Sequence, residues 1–277
     1  MSDKTKGAKP GAKPKGDKSG REQVRQAHAA ALAADRRRET RFRVIAGVVV
    51  VLVVGAIIAI PLLTKKSADP VPAPTFSGSA ALPKGVTAPT YGVNQGTAAA
   101  SKPELQIWED FQCPGCGNLE RTHGAEILKL ADDGKVRLMW RPTTFLDPSH
   151  PQSNQSSLRA AAAWGCAIDA GKAAAYHSIV FANQPAVEGA GFSDSQLLDF
   201  GKQVGIDGDS YTTFEQCFNA QKYNGWVNNS ASIFSSAGVP GTPTAYLTGK
   251  GFDNKELTPE QLNDIAALTD LISQATG

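Results

Sequence analysis

The longest uninterrupted run of apolar positions in the 277-residue chain lies near its N-terminus. Residues 44–63 contain no charged side chain and are rich in Val and Ile, a length that can cross a hydrocarbon core of roughly 30 Å as a helix. The run is longer than the apolar region of a cleaved signal peptide, about 7–15 residues, and no small-residue cleavage site follows it. A buried core helix is the weaker alternative, because such helices are seldom apolar on every side. The pattern therefore predicts one retained transmembrane helix.

The segments on either side of this run are polar and predict no packed core. Residues 1–43 begin with a stretch rich in Lys, Gly and Pro, a composition that predicts a largely disordered tail. Residues 64–85 contain four prolines and predict an extended linker. Because basic residues precede the apolar run in excess, we expect a single-pass protein of the cell membrane, with the tail in the cytoplasm and the remainder outside.

The patterns of a folded α/β domain begin near residue 86. Residues 105–111 and 136–141 are short runs with β-branched and aromatic side chains, which predict strands. Between them, residues 113–133 have apolar positions at helical spacing and end at a glycine. A strand, a helix and a second strand in this order predict a βαβ unit with parallel strands.

The pattern becomes mainly helical over about residues 147–238. Within it, Ser193 and Gln196 form a capping box, which marks the start of a helix. A further strand at 244–248 and a last amphipathic helix complete the pattern. The sequence thus predicts one α/β domain at 86–277, with a helical block inserted into a small sheet.

The net formal charge of +2 conceals an asymmetry between the two sides of the apolar run. The first 43 residues contain 13 basic and five acidic side chains, whereas the rest of the chain contains 15 basic and 21 acidic ones. A basic tail joined to a mildly acidic body does not predict nucleic-acid binding. It agrees with a chain that a membrane divides, and we expect the lipid bilayer to be a partner of residues 44–63.

Cys113 and Cys116 form a C-x-x-C motif, Cys-Pro-Gly-Cys, at the junction of a predicted strand and helix. Two thiols at this spacing can close a small disulfide ring, and the free N–H groups at a helix start favour a thiolate on the first of them. A stabilised thiolate is a good leaving group and makes the disulfide oxidising. Pro114 suits the first helical turn, where its missing N–H needs no partner. The motif predicts thiol–disulfide exchange.

Other uses of these cysteines are less well supported. A zinc site with four cysteines is disfavoured because Cys166 and Cys217 lie far apart in sequence, and the four histidines show no ligand spacing. A purely structural disulfide between Cys113 and Cys116 would constrain the unfolded chain little, because its loop is short. We therefore expect no metal ion and no cofactor.

Three separated segments resemble the DsbA-like branch of the thioredoxin superfamily: IWEDFQCPGC at 107–116, AAAWGCAIDAGKAAAYHSIVFANQ at 161–184 and GVPGTPTAYLTGK at 238–250. The likeness covers about residues 100–277 and is greatest to the membrane-tethered forms of bacteria without a conventional periplasm. It implies a thioredoxin-like core with an inserted helical domain. It also implies the activity of a protein thiol–disulfide oxidoreductase.

The resemblance assigns roles to individual residues. Thr242 and Pro243 match the cis-proline element of the family, in which the proline faces the C-x-x-C motif and the preceding backbone pairs with the substrate. An ordinary turn, or an unusual bond at Pro240 instead, are the alternatives for this segment. Pro114 and Gly115, between the cysteines, tune their reactivity. Strongly oxidising relatives carry a histidine within this dipeptide, so the donor strength stays open.

The sequence also differs from the family at a second position. Many relatives carry an acidic residue six positions before the first cysteine, where it helps to move a proton from the second thiol. Ile107 occupies that position here, and Glu109 and Asp110 follow it. We expect these two acidic side chains to solvate a strand edge, and a different role for them is the alternative.

Cys166 and Cys217 lie in the helical block and are expected to form a structural disulfide. Cysteines outside the cytoplasm pair readily, and tethered relatives often hold such a second bridge. Its loop of about 50 residues would be worth up to ~4 kcal/mol of stability. Two buried free thiols, or a relay pair that exchanges with Cys113, are the alternatives.

The predicted activity is donation of the Cys113–Cys116 disulfide to secreted or cell-envelope proteins with free cysteines. The resemblance implies a membrane partner that passes electrons to quinone, of the DsbB or vitamin K epoxide reductase-like type, which restores the disulfide. Two alternatives stay open: a thiol reductase or disulfide isomerase on the same scaffold, and a tethered binding module without catalytic activity.

Overall fold

The computed structural model describes residues 80–276 of the chain. The predicted cytoplasmic tail, the predicted transmembrane helix at 44–63 and nearly all of the predicted linker lie outside the described residues. Within the described range, no helix is long and apolar enough to cross a membrane.

A five-stranded mixed sheet forms the centre of the domain. Its strands, in chain order, are β1 (Val93–Gln95), β2 (Glu104–Glu109), β3 (Arg137–Pro142), β4 (Thr244–Gly249) and β5 (Phe252–Glu256). They lie in the order β1-β3-β2-β4-β5, with β2 and β3 parallel and the other neighbouring pairs antiparallel. The predicted parallel pair is confirmed. The edge strands β1 and β5 escape prediction because they are short or polar and show no apolar alternation.

The connection from β2 to β3 carries the C-x-x-C motif. Helix α1 (Pro114–Leu119) begins directly after Cys113, and a π-helical turn at Glu120–Gly124 separates it from α2 (Ala125–Asp132). The single helix predicted over 113–133 is therefore interrupted by a wider turn. This turn directs the side chain of its first residue into the core.

Helices occupy most of the chain between β3 and β4. Two short 3-10 turns, at Asp147–Ser149 and Pro151–Ser153, precede five α-helices. These are α3 (Ser156–Asp169), α4 (Ala173–Ala182), α5 (Asp194–Gln203), α6 (Gly208–Asn219) and α7 (Asn224–Ser236). The capping box predicted at the start of α5 is confirmed, because Ser193 Oγ accepts the N–H of Gln196 and Gln196 Oε1 accepts the N–H of Ser193.

Helix α3 is buried along almost its whole length and packs against α4, α5, α6 and α7. The four alanines at 160–163 allow neighbouring helices to approach closely, because a methyl group takes little space. Trp164 fills the adjoining volume and donates its indole N–H to the carbonyl of Ala173 at 2.8 Å. The helical block therefore has one shared core with α3 at its centre.

Two C-terminal helices, α8 (Pro259–Leu262) and α9 (Ile265–Thr276), follow β5. The sequence predicts a single helix here, and the structure divides it. Asp264 accounts for the division, because its Oδ1 atom accepts the backbone N–H groups of Ala266 and Ala267 and so caps α9. Helix α9 contacts α2 and β4.

Strand directions bring three segments to one edge of the sheet. The parallel strands β2 and β3 end at this edge, where β2 leads to Cys113 and β3 leads to residues 143–147. Strand β4 runs antiparallel to β2 and begins at the same edge, with Thr244 opposite Trp108. Pro243, directly before β4, is thereby brought close to the reactive cysteines.

Candidate active site

Cys113 and Cys116 lie at the start of α1, where the sequence predicts thiol chemistry. Cys113 is the N-cap residue, with extended backbone angles, and its carbonyl accepts the N–H of Gly117 at 3.0 Å. Cys113 is 8% exposed, whereas Cys116 is fully buried. Both residues are free thiols, so the site is in its dithiol form. A reacting partner can reach the first sulfur but not the second.

The Thr242–Pro243 segment lies against the reactive cysteine. Its peptide bond is cis, and the Cys113 thiol donates a hydrogen bond to the Thr242 carbonyl at 3.1 Å. A Cβ atom on Gly115 would lie 3.1 Å from Cδ of Pro243, so the missing side chain lets the proline ring approach. The bond before Pro240, the alternative position, is trans.

The two sulfur atoms hold their protons very differently. The pKa of Cys113 is lowered from 9.0 to about 6, because the Cys116 thiol and the backbone N–H groups of Cys116 and Gly115 donate hydrogen bonds to its sulfur. Burial raises the pKa of Cys116 well above its usual value, and the nearby Cys113 raises it further. At neutral pH the exposed sulfur is therefore a thiolate and the buried one a thiol.

A buried cluster of three ionisable side chains, here called the Glu–His–Glu cluster, comprises Glu109, Glu120 and His177. His177 Nε2 lies 2.9 Å from Glu109 Oε2, and His177 Nδ1 lies 3.7 Å from Glu120 Oε2. None of the three residues is more than 9% exposed. They come from the end of β2, the π-helical turn and α4 respectively, so only the fold brings them together.

Aromatic rings enclose this cluster and control its protonation. The rings around the His177 imidazole are those of Phe111, Trp140, Trp164 and Phe181. In these apolar surroundings, burial raises the pKa of both Glu109 and Glu120 from 4.5 to about 8. Burial also lowers the pKa of His177 from 6.5 to about 4. At neutral pH the protons therefore reside mainly on the carboxyl groups and the imidazole is neutral.

The expectation that Glu109 and Asp110 solvate a strand edge is wrong, because β2 is an inner strand of the sheet. Asp110 Oδ1 accepts the backbone N–H of Gln112 at 2.8 Å and the hydroxyl of Ser157 at 2.6 Å. Its Oδ2 atom accepts the backbone N–H of Leu146 at 2.9 Å. Burial raises the pKa of Asp110 to about 7. These bonds tie the segment before Cys113 to α3 and to the loop after β3.

The Glu–His–Glu cluster is also the one group within residues 80–276 whose side chains could hold a metal ion. Each residue offers a possible ligand atom, and these atoms lie within 4.8 Å of one another. The hydrogen bond between His177 and Glu109 already uses one such atom from each residue. We therefore interpret the cluster as a proton-holding site and assign it no metal.

A side chain from the helical block also reaches the reactive turn. Gln184 follows α4 by two residues, and its Nε2 atom donates to the carbonyls of Phe111 and Cys113 at 2.9 and 2.8 Å. The sequence predicts no role for Gln184 or for His177. Gln184 lies 71 residues from Cys113, and His177 lies 68 residues from Glu109. The one local signal of the cluster is the carboxyl group of Glu109 directly after the apolar pair Ile107 and Trp108.

Cys166 and Cys217 are joined by a disulfide with an S–S distance of 2.06 Å. The bridge links α3 to α6 within the helical block. Two free thiols, one alternative left open by the sequence, are therefore not present in this structure. Of the four cysteines in the chain, only Cys113 and Cys116 carry free sulfurs.

The domain resembles one protein family and several solved structures. Residues 90–266 match the sequence model of the family described as Thioredoxin. Oxidised DsbA of Mycobacterium tuberculosis is 27% identical, with a TM-score of 0.52, over 67% of this chain and 93% of that chain. The reduced disulfide bond oxidoreductase DsbG of the same organism has the same identity and TM-score, over 67% and 88%.

A further structural neighbour shows the same fold at lower identity. MdbA, a thiol-disulfide oxidoreductase from Actinomyces oris, is 22% identical, with a TM-score of 0.58, over 72% of this chain and 94% of that chain. No curated protein matches the sequence.

Proposed function

The chain belongs to the thioredoxin family and is a thiol–disulfide oxidoreductase of the DsbA-like kind, and from this premise we propose that it oxidises secreted proteins. It donates the Cys113–Cys116 disulfide to substrates that carry two free cysteines. The observation that carries the proposal is the contrast between an accessible Cys113, with its pKa lowered to about 6, and a buried Cys116 thiol. Such a contrast stabilises the reduced form, which makes the disulfide oxidising.

The reaction proceeds by two thiol–disulfide exchanges. A substrate thiolate attacks the Cys113 sulfur of the oxidised enzyme, a substrate–Cys113 disulfide forms, and Cys116 leaves as a thiolate. The second substrate cysteine, as a thiolate, then attacks the substrate sulfur of this mixed disulfide, and Cys113 leaves as a thiolate. Two electrons pass from the substrate dithiol to the enzyme, which ends reduced while the substrate ends with a disulfide.

The thiolate formed on Cys116 in the first exchange takes up a proton, because burial raises the pKa of this thiol well above its usual value. We propose Glu109 as the proton donor. Burial keeps its carboxyl group protonated up to about pH 8, and ionised Glu109 raises the pKa of Cys116, so the two groups interact and the proton can pass from the carboxyl group to the sulfur. Relatives with an acid six residues before the first cysteine use it for this step. Glu109 takes the role here, since Ile107 holds that position.

Thr242 and Pro243 are proposed to receive the substrate backbone beside Cys113. The carbonyl of Thr242 lies 3.1 Å from the Cys113 sulfur, two residues before the start of β4. A substrate segment in extended conformation can pair with this backbone while its own cysteine faces Cys113. Backbone pairing depends little on side chains, which suits an enzyme with many substrates.

We propose the outer face of the cell membrane as the location, with residues 44–63 as the anchor. The apolar run, its basic flank and the Cys166–Cys217 disulfide support this location, because structural disulfides persist in oxidising compartments. Reoxidation is proposed to occur through a quinone-linked membrane protein of the DsbB or vitamin K epoxide reductase-like type. That partner accepts two electrons from the Cys113–Cys116 dithiol and restores the disulfide.

Trapping of mixed disulfides tests the mechanism. In a full-length Cys116→Ser variant, the Cys113 thiolate attacks a disulfide of an oxidised substrate, one substrate sulfur leaves as a thiolate, and a mixed disulfide forms. This variant lacks the Cys116 thiol, which in the unaltered enzyme can attack Cys113 and free the substrate. We expect this variant to accumulate complexes with secreted proteins that a reducing agent separates. The matched Cys113→Ser variant should form none. The absence of any complex with Cys116→Ser would contradict the mechanism.

The reduction potential separates a disulfide donor from its alternatives. A value near the roughly −120 mV of strong oxidants, together with active refolding of reduced ribonuclease, supports a donor. A value near about −270 mV, together with reduction of insulin, indicates a reductase. A binding module without catalytic activity would turn over in neither assay.

A further inference from the structure

We propose that Gln184, from the helical block, is a positioning residue that holds the turn carrying Cys113 and thereby sets the reactivity of the Cys113 sulfur. The inference rests on the proposed function, in which Cys113 is the attacked atom and the leaving group. It adds a residue outside the C-x-x-C motif and outside the cis-proline segment.

The first observation is a pair of hydrogen bonds from one amide group. Gln184 Nε2 donates to the Phe111 carbonyl at 2.9 Å and to the Cys113 carbonyl at 2.8 Å. The Phe111 carbonyl belongs to the peptide unit before Gln112, and the Cys113 carbonyl belongs to the peptide unit after Cys113. One amide group therefore holds the chain on both sides of the Gln112–Cys113 segment, which leads into α1 and carries the reactive side chain.

The second observation is a glycine inside α1. A Cβ atom on Gly117 would lie 2.1 Å from Oε1 of Gln184, and 2.7 Å from Nη1 of Arg121. Glycine in a helix interior costs up to about 1 kcal/mol relative to alanine, so a buried glycine at this position needs a compensating reason. The space that the Gln184 amide occupies supplies that reason, independently of its hydrogen bonds.

The effect on Cys113 follows from where these groups act. The thiolate of Cys113 is stabilised by hydrogen bonds from the first turn of α1, and these depend on the conformation of the turn. Gln184 also neutralises two carbonyl dipoles beside that turn, whose oxygen ends would otherwise disfavour a negative charge nearby. Without the amide donor, the turn relaxes, the Phe111 carbonyl loses the Gln184 hydrogen bond, the Cys113 carbonyl keeps only that of the Gly117 N–H, and the thiolate is less stable.

The ionisable groups that face the reactive turn come from three elements. Cys116 lies on α1, Glu109 at the end of β2, and Arg121 on the π-helical turn beside Gly117. Substitutions at position 184 leave all three residues in place. A change in the titration of Cys113 after Gln184→Ala, which adds no charge, therefore reports on the amide group of Gln184, whereas in Gln184→Glu the loss of the donor and the added carboxylate act in the same direction.

Gln184→Glu is the first variant, with Asn183→Asp as its matched control. Both substitutions replace an amide with a carboxylate. Asn183 is exposed, and its side chain donates only to the Ile179 carbonyl of its own helix. The measurement is the rate of Cys113 alkylation against pH in the reduced full-length protein, with mass spectrometry to identify the modified residue. Equilibrium with glutathione buffers gives the oxidising strength of the same samples.

We expect Gln184→Glu to move the alkylation midpoint of Cys113 upward by about one pH unit, which is roughly a tenfold loss of thiolate below the midpoint. The disulfide should become correspondingly less oxidising. Asn183→Asp should leave both quantities unchanged. If Gln184→Glu lowers the melting temperature and leaves the pH profile of Cys113 alkylation unchanged, Gln184 contributes only to stability and the inference is overturned.

Gly117→Ala provides an independent route to the same displacement, since its added methyl group takes the place of the Gln184 amide oxygen. We expect it to shift the Cys113 profile in the same direction. In a Gln184→Ala background, which also serves if Gln184→Glu does not fold, Gly117→Ala should add no further shift. Additive shifts would show that Gly117 acts without Gln184 and would contradict the inference.

This inference and the proposed function can fail separately. Complexes trapped by Cys116→Ser with an unchanged Cys113 profile in Gln184→Glu would retain the function and remove the role of Gln184. A shifted profile without any trapped complex would retain the role of Gln184 and remove the proposed reaction.

Discussion

Cys113 and Cys116 are three positions apart, yet the fold gives them opposite acid–base properties. Cys113 is the N-cap residue of α1 with its sulfur among hydrogen-bond donors, and its pKa is lowered to about 6. Cys116 lies one turn further into the core, where it is fully buried. A buried thiolate is stable only where hydrogen-bond donors replace water. The Cys113 sulfur is therefore the reactive thiolate, and the Cys116 sulfur stays a thiol.

The titration of Cys113 follows directly from this contrast. In the reduced protein we expect alkylation of Cys113 to have a midpoint near pH 6, whereas Cys116 should stay protonated through pH 9. Iodoacetamide labelling against pH, resolved by mass spectrometry, measures both sulfurs. A Cys113 midpoint near the ordinary value for a thiol, about 8.5, would contradict the assignment of a stabilised thiolate.

A substitution at Glu109 that preserves the size of the side chain is expected to slow reduction of the enzyme disulfide. A Glu109→Gln variant keeps the size of the side chain but cannot donate a carboxyl proton to Cys116. We expect reduction of the enzyme disulfide by a dithiol peptide to slow on the order of 100-fold at pH 7, measured by stopped-flow fluorescence. The control is Glu126→Gln, an exposed residue on α2. Equal rates for the two variants would exclude Glu109 as the proton donor.

At the scale of elements, the π-helical turn between α1 and α2 has a specific consequence. It carries Glu120 into the core, to within 3.7 Å of His177. Gly124, at the end of the turn, leaves room for the carboxyl group, since a Cβ atom there would lie 2.3 Å from Glu120 Oε2. The turn therefore places a residue without a side chain beside Glu120, and the carboxyl group has room within the Glu–His–Glu cluster.

The Cys166–Cys217 disulfide acts on the helical block and not on the exchange reaction. It joins residues 51 apart in sequence, and a cross-link of this span stabilises the folded state by about 4 kcal/mol through the unfolded chain. We expect a Cys166→Ala/Cys217→Ala variant to lose up to that amount in urea unfolding. The Cys113 titration should be unchanged.

Thiol labelling after mild reduction of the unaltered protein provides a second check on this bridge. A structural disulfide should resist reducing agent at concentrations that open the Cys113–Cys116 pair. If both pairs open equally easily, the bridge is a participant in exchange and its structural assignment is wrong.

At the scale of the whole molecule, the buried acids make stability depend on pH. The pKa of Glu120 is raised from 4.5 to about 8, so the folded state keeps a proton that the unfolded state releases. The stability that depends on this proton is fully present below about pH 4.5 and is lost as the pH rises through about 8. His177 acts in the opposite direction: its pKa is lowered to about 4, so its contribution is lost as the pH falls below 6.5.

A Glu120→Gln variant should therefore lose less stability than the unaltered protein between pH 6.5 and 8.5. His177 is present in both proteins and its unfolded-state titration near pH 6.5 affects both, so the difference between them reports on Glu120 together with Glu109. Thermal unfolding of the oxidised protein measures it, because oxidation removes the titration of the reactive thiols. Parallel curves for the two proteins would show that Glu120 is not protonated in the folded state at neutral pH.

The local chemistry of this protein is determined by its sequence alone. The C-x-x-C motif after a strand and the capping box at Ser193 each depend on residues within a few positions of one another, and the parallel β2–β3 pair follows from the order of three consecutive elements. The same holds for the family resemblance, which rests on three short segments. Hydrophobic periodicity and helix caps are local properties, so they can be predicted from the sequence.

The tertiary structure decided which distant groups meet around those cysteines. His177 meets Glu109 across 68 residues, and Gln184 meets Cys113 across 71. The two acids expected at a strand edge lie in the core, because the position of β2 within the sheet is set by the strands that pair with it on either side. Such contacts leave no periodic trace in the chain. They exist because packing of the helical block against the sheet excludes water from these groups, and the same exclusion shifts their pKa values.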